Sequence, residues 1–248
     1  MSNSTKTQAP IFPVLILIGR PASGKSEIID YLRRLDPAER IRRFHIGALD
    51  MLDDFPMLWT WFEEDQILSH ELGKPRLHTD EEGYFLQPYL WNLLIRRLGL
   101  EYEKLLRDNP NYHLTHTALV EFSRGSEHGG YREAFAHLSE KLLIRAAVVY
   151  VDVSFEESLR KNRKRFNPDR PDSILEHGLP DAKLERLYGE VDWEAFSQPD
   201  PHVLQIGRLA VPYAVFENQD DVTSGNTAAL GERLEQVLEG LWQRFKAG

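Results

Sequence analysis

Five consecutive apolar residues, Val14-Leu15-Ile16-Leu17-Ile18, run straight into Gly19-Arg20-Pro21-Ala22-Ser23-Gly24-Lys25-Ser26. No other stretch restricts the fold so strongly. The first part reads as a strand buried on both faces of a parallel sheet. The second part fits the pattern G-x-x-x-x-G-K-[ST]. Ile28, Leu32 and Leu35 then recur at helical spacing, and Asp36-Pro37 ends the run. The order is strand, glycine-rich loop, helix.

That order has a chemical meaning. Gly19 and Gly24 let the backbone turn tightly, so that successive N–H groups of residues 19–26 can face phosphate oxygens. The helix start adds free N–H groups and the positive end of its dipole. Lys25 is placed to reach the terminal phosphates of a nucleotide, and Ser26 to hold Mg²⁺ through its hydroxyl. The whole loop, Arg20, Pro21, Ala22 and Ser23 included, is the candidate ATP-binding segment.

The chain has 248 residues, 42% hydrophobic and 28% charged, which suits one large α/β domain or a domain with sizeable insertions. A net charge of −9 argues against broad binding to nucleic acid or an anionic membrane. Without cysteine there are no disulfides, thiolate metal sites or Cys nucleophile. Residues 1–10 are polar, and the apolar run that follows is too short to span a membrane. The expected picture is a cytoplasmic protein with a short disordered leader over 1–10.

Further along, Ile41 to Ile46 alternates as a second strand would, with Gly47 at its end. Asp50, Asp53 and Asp54 come next. Asp is a preferred helix N-cap, but acids following a strand also suit a hydroxyl substrate, and Asp53 or Asp54 is the candidate general base. Trp59, Trp61, Phe62, Tyr84, Phe85, Tyr89 and Trp91 crowd the next stretch, most as the core of an inserted cap, one or two as pocket walls. A helix is predicted from a cap at Thr79 with Glu82 three residues on. Residues 47–110 then read as a helical substrate cap without a strand of its own.

Thr117 to Phe122 reads as the third strand. Glu121 is a candidate Mg²⁺ ligand, and Arg124 a candidate clamp on substrate or phosphate oxygens. Ala147 to Val151 is the fourth strand, and Ser154 with Glu157 opens a helix. Between 160 and 170 there are six basic residues and one acid. Arg160 and Arg163 are the candidates to stabilise charge during phosphoryl transfer, on an arginine-bearing lid spanning 160–195. His202 to Ile206 reads as a minor strand and Val211 to Phe216 as the fifth; a core helix covers about 227–245.

The phosphate loop from Gly19 to Ser26, the acids at 50–54, the Glu121-Phe122-Ser123-Arg124 turn and the basic segment after strand four together resemble the P-loop small-molecule kinases. The resemblance implies an α/β three-layer sandwich with a five-stranded parallel sheet of order 2-3-1-4-5, in a single domain over 1–248. It also implies ATP and Mg²⁺ as cofactors and a small molecule as acceptor. By the same analogy Asn218, after the last strand, is a candidate adenine contact. The activity so implied is transfer of the ATP γ-phosphate to a hydroxyl or phosphate of a nucleoside, nucleotide or sugar. The alternatives are a nucleotide-binding regulatory ATPase with no small-molecule acceptor, and a kinase acting on nucleic-acid ends, for which steep salt dependence would be the mark.

Overall fold

The computed structural model describes residues 10–165, 179–225 and 227–247. Most of the expected leader, and residues 166–178 of the expected lid with Arg170, lie outside the described residues. Strand β1 (Val14–Gly19) is buried along its whole length and leads through the phosphate loop into α1 (Lys25–Arg34). Burying a large aliphatic side chain contributes roughly 1.5–3 kcal/mol, so β1 is the natural centre of the sheet. It pairs in parallel with both β3 (His116–Phe122) and β4 (Ala146–Asp152).

The second strand is not where alternation put it. Residues Pro37–Phe44 form α2, and β2 is Ala48–Asp53. Asp36-Pro37 ends one helix and starts another. The Asp36 carboxylate accepts from the N–H groups of Ala38 and Glu39 at 2.9 and 3.3 Å, and Pro37 occupies the first turn, where its missing N–H costs nothing. Arg40 and Phe44, four apart, bury one helical face. His45 closes the helix in a left-handed conformation. Asp50 and Asp53 therefore lie within a strand rather than after it, and the cap begins only beyond β2.

The cap consists of α3 (Phe55–Gln66), a π-helical turn at Ile67–Glu71, an irregular stretch, and α4 (Tyr89–Asp108). No helix starts at Thr79. Its side chain is buried and donates to Asp65 at 2.8 Å, while the Asp65 carboxylate also accepts from the backbone N–H groups of Leu77, His78 and Thr79. The sequence Thr79 to Glu82 thus marks a loop tied to a buried carboxylate.

The remaining elements are α5 (Gly130–His137), α6 (Glu140–Leu143), α7 (Phe155–Arg165), α8 (Asp181–Tyr188), α9 (Trp193–Ser197), β5 (Val203–Ile206), β6 (Leu209–Glu217) and α10 (Thr227–Ala247). The sheet order is β2-β3-β1-β4-β6-β5. Its five parallel strands run in the expected order, with β6 in fifth place. The minor strand β5 adds an antiparallel edge, so the sheet has six strands rather than five. One face of the sheet packs on α1, α2 and α10, and the other on α4, α5, α6 and α9, giving the three layers of an α/β P-loop fold. Among the described residues no helix is long and apolar enough to cross a membrane.

Candidate active site

The phosphate loop sits at the carboxyl end of β1, where open parallel sheets place their ligands. Gly24 adopts φ 110°, and a Cβ there would lie 2.6 Å from the Asn218 amide and 2.7 Å from the Thr223 hydroxyl. Ala22 holds a left-handed φ of 55° without being glycine, a conformation costing about 1–2 kcal/mol. The loop is secured from behind: the Asn218 amide donates to the Ser23 carbonyl at 2.7 Å and to the Thr223 hydroxyl at 2.9 Å. Asn218 is fully buried in this role, and the structure does not bring it to the cleft as an adenine contact. Arg20 likewise turns away from the loop's hollow, donating to the carbonyls of Val153, Tyr188 and Gly189 at 3.0–3.3 Å.

Lys25 is buried, and its Nζ donates to the Gly19 and Arg20 carbonyls at 3.2 and 2.9 Å and to the Ser123 hydroxyl at 2.9 Å. Glu121 lies 3.9 Å from the same ammonium. Burial lowers the Lys25 pKa, and Glu121 opposes that shift. Parallel pairing of β2 with β3 sets Asp53 beside Glu121. Asp53 accepts from the Phe55 N–H at 2.9 Å. Burial, then the neighbouring charges of Glu121 and Asp54, raise the Asp53 carboxyl to about 7. Burial also raises Glu121, against the pull of Lys25.

Asp54 and Arg124 are brought together as a buried ion pair at 2.7 Å. Arg124 also donates to the Ser123 carbonyl at 2.7 Å and to the Trp91 carbonyl at 3.2 Å, and its guanidinium lies 5.1 Å from the Trp91 ring centre. It joins the end of β3 to the first turns of both cap helices, so its charge is already matched by Asp54. Asp50 lies beside Tyr112 and does not line the cleft.

The basic run on α7 divides. Arg160 is exposed and paired with Glu157 and Asp221, and Arg163 is exposed and paired with Asp181. Neither lines the cleft. The residue that does reach the loop is Arg165, which donates to the Ser26 hydroxyl at 3.0 Å. Ser158, Lys161, Asn162 and Arg165 recur at i, i+3, i+4 and i+7, so helical periodicity alone could have singled out this face. Ser123, in the turn at 121–124, and Lys183 also line the cleft, and Thr223 supports the loop from behind; Thr223 and Lys183 carried no sequence signal.

These groups open into one cleft of about 1170 Å³, which runs from Lys25 and Ser26 past Asp53 and Glu121 to the aromatic residues of the cap. Trp61 packs in the cap's own core, Phe85 and Trp91 pack against that core and also line the cleft, and Trp59 and Phe62 line the cleft as well. Among the described residues no group of three or more His, Asp or Glu side chains is arranged to hold a metal by itself. The Ser26 hydroxyl and the Glu121 carboxylate are hard oxygen donors, and that pair suits Mg²⁺, which takes one or two carboxylates and completes its shell with phosphates and water.

No family model matches the chain, and no characterised protein matches its sequence. Solved structures do align with it. Shikimate kinase from Acinetobacter baumannii, in complex with shikimate, is 15% identical over 94% of both chains with a TM-score of 0.41. A Thermus thermophilus protein is 17% identical over 94% of this chain and 99% of its own, with a TM-score of 0.42. Likenesses this remote carry no argument about chemistry. The α/β P-loop fold stands on the sheet order, the loop and the layers described above.

Proposed function

We propose that the protein is an ATP-dependent small-molecule kinase, moving the γ-phosphate of ATP to a hydroxyl or phosphate of its acceptor. The observation that carries this reading is the single cleft that joins Lys25 and Ser26 to Asp53 and then continues into the cap. A regulatory ATPase needs the first part of that cleft and has no use for the second. In this reading the loop N–H groups and Lys25 hold the phosphates, and Arg165 supplies the positive charge opposite the transferred group. Ser26 and Glu121 would hold Mg²⁺, which when bound supplies neutralisation of phosphate charge.

Asp53 is the proton acceptor. Its second oxygen is not used by the Phe55 N–H, and a carboxyl raised to about 7 by burial is matched to general-base work near neutrality. The acceptor oxygen forms a bond to the γ-phosphorus as the bridging P–O bond to ADP breaks, and the acceptor's proton passes to Asp53. Asp54 is unsuited to this task because Arg124 occupies it. The expected setting is the cytoplasm.

The test is ADP release measured with and without a panel of small acceptors. Acceptor-dependent release that Lys25→Ala abolishes, with the folded state retained, supports the kinase. Release at the same rate without any acceptor favours the regulatory ATPase.

A further inference from the structure

The cap meets α8 along a line where two separate apolar clusters touch. Trp61, Leu90 and Leu94 form the cap's own core, while Leu184, Leu187 and Tyr188 of α8 form another, on which Tyr84 packs. Tyr84 lies in a turn of the cap, residues 80–84, that carries its own hydrogen bonds. The Asp80 carboxylate accepts from the N–H groups of Glu82 and Tyr84 at 3.0 and 2.8 Å. The Asp80 N–H donates to the Tyr84 carbonyl at 2.9 Å, and the Gly83 N–H to the Asp80 carbonyl at 3.1 Å. Such a turn can leave α8 without breaking any of these bonds.

Lys183 of α8 holds the turn in place. Its ammonium donates to the carbonyls of Glu82 and Gly83, both at 2.8 Å, and lies 4.7 Å from the Tyr84 ring centre. Gly83 makes room for it: φ is +75° there, and a Cβ would stand 2.8 Å from the Lys183 Nζ. Burial lowers the Lys183 pKa against the charges of Asp80 and Glu82, so the nitrogen is withdrawn from water at this contact. Arg186 lies over the Tyr84 ring at 4.0 Å and pairs with Glu127 at 2.8 Å.

The far end of α8 is tied to the phosphate loop. Arg20 donates to the carbonyls of Tyr188 and Gly189 at 3.2 and 3.3 Å. Helix α8 therefore stands between the loop backbone that would cradle the phosphates and the turn that borders the cap half of the cleft. Glu82, Gly83, Tyr84, Lys183, Leu187 and Tyr188 all line that cavity.

Resting on the kinase reading, we propose that Lys183 is a positioning residue that latches the cap turn to α8, so that nucleotide seated on the phosphate loop strengthens the closed cap. The latch works through its grip on the Glu82 and Gly83 carbonyls, without contact to the transferred phosphate. Nucleotide fixes the backbone that carries Arg20, and Arg20 holds the end of α8. By linkage, a closed cap tightens nucleotide binding by the same factor. Closure of this kind sequesters the reaction from water.

The experiment is hydrogen exchange read by mass spectrometry on the full chain, with Mg²⁺ and a non-hydrolysable ATP analogue as the probe. Losing two hydrogen bonds from a charged donor shifts the docked-to-open ratio by at least about tenfold. The amides of residues 80–84 should therefore exchange about tenfold or more faster in Lys183→Met, while those of α10 keep their wild-type rates. Lys183→Arg, which keeps the charge and the donors, should restore most of the protection. The analogue should slow exchange at 80–84 in the wild type and lose that effect in Lys183→Met. Unchanged exchange of the turn in Lys183→Met, a rise shared equally by α10, equal exchange in the Met and Arg variants, or a bound analogue that leaves the turn unaffected would overturn the inference. The kinase reading fails differently: by absence of analogue binding in calorimetry, by acceptor-independent ADP release, or by release that survives Lys25→Ala. In each of those cases the comparison of Lys183→Met with the wild type still tests the latch.

Discussion

Replacing Arg124 by Met removes one partner of a buried ion pair while keeping most of the side-chain volume. Arg124 is 2% exposed and Asp54 7%, so the stranded carboxylate has little access to water. Breaking such a pair from one side costs about 3–5 kcal/mol, because the remaining charge is buried without compensation. The Ser123 and Trp91 carbonyls lose a donor as well. In a chain of this size 1 kcal/mol corresponds to about 2–4 °C in Tm, so Arg124→Met should lower Tm by roughly 10 °C. Adding Asp54→Asn removes the stranded charge. The double variant should therefore recover at least about 2 kcal/mol of the loss in a urea-denaturation cycle, within the range seen for coupled pairs. A loss below about 1 kcal/mol in the single variant, or additive losses in the double, would refute the claim that the pair joins the cap helices to β3.

Arg165→Ala should lower kcat by about 10³-fold, as removal of an arginine finger does, while Arg160→Ala and Arg163→Ala leave kcat within about twofold, because exposed ion pairs contribute little; steady-state kinetics on the three variants separates them. Asp53→Asn should cut turnover by about 10²- to 10⁴-fold with ATP-analogue affinity unchanged by calorimetry. Ser158→Ala removes the 2.7 Å hydrogen bond to the Pro21 carbonyl and should cost about 1 kcal/mol in denaturation. It should also lower kcat more than it raises KM, and loss of stability with unaltered kcat would assign Ser158 to structure alone.

The legible parts of this fold were those whose signals are local. β1, the loop and α1 declare themselves because burial on both sheet faces, glycine geometry and helical periodicity all act within 22 residues (14–35). β4 and α10 were legible for the same reason. The second strand was not, because Asp36-Pro37 carries a helix stop and a helix start in one dipeptide, and only the stop was read. The true β2, with Asp50 and Asp53 among Leu49, Met51 and Leu52, holds acids that resemble a loop until parallel pairing sets Asp53 beside Glu121. Arg124 lines the cleft, but its pairing with Asp54 carried no local signal, because Asp54 lies 70 residues away in sequence. Asn218 was placed near the loop correctly, but on its buried side.

The basic run of α7 shows how differently neighbouring cations of one helix are bonded. Arg160 and Lys161 both reach Asp221, the latter at 2.6 Å, and Lys161 also donates to Thr223, which in turn meets the Asn218 amide behind the loop. Ser158 holds the Pro21 carbonyl one turn earlier. These contacts tie the helix down at successive turns, and Arg165 on its last turn donates to Ser26. In the proposed transfer, a guanidinium held in this way would meet its positioning cost in folding rather than during the reaction. Ser158 and Lys161, not the exposed arginines, tie down the helix whose Arg165 donates to Ser26.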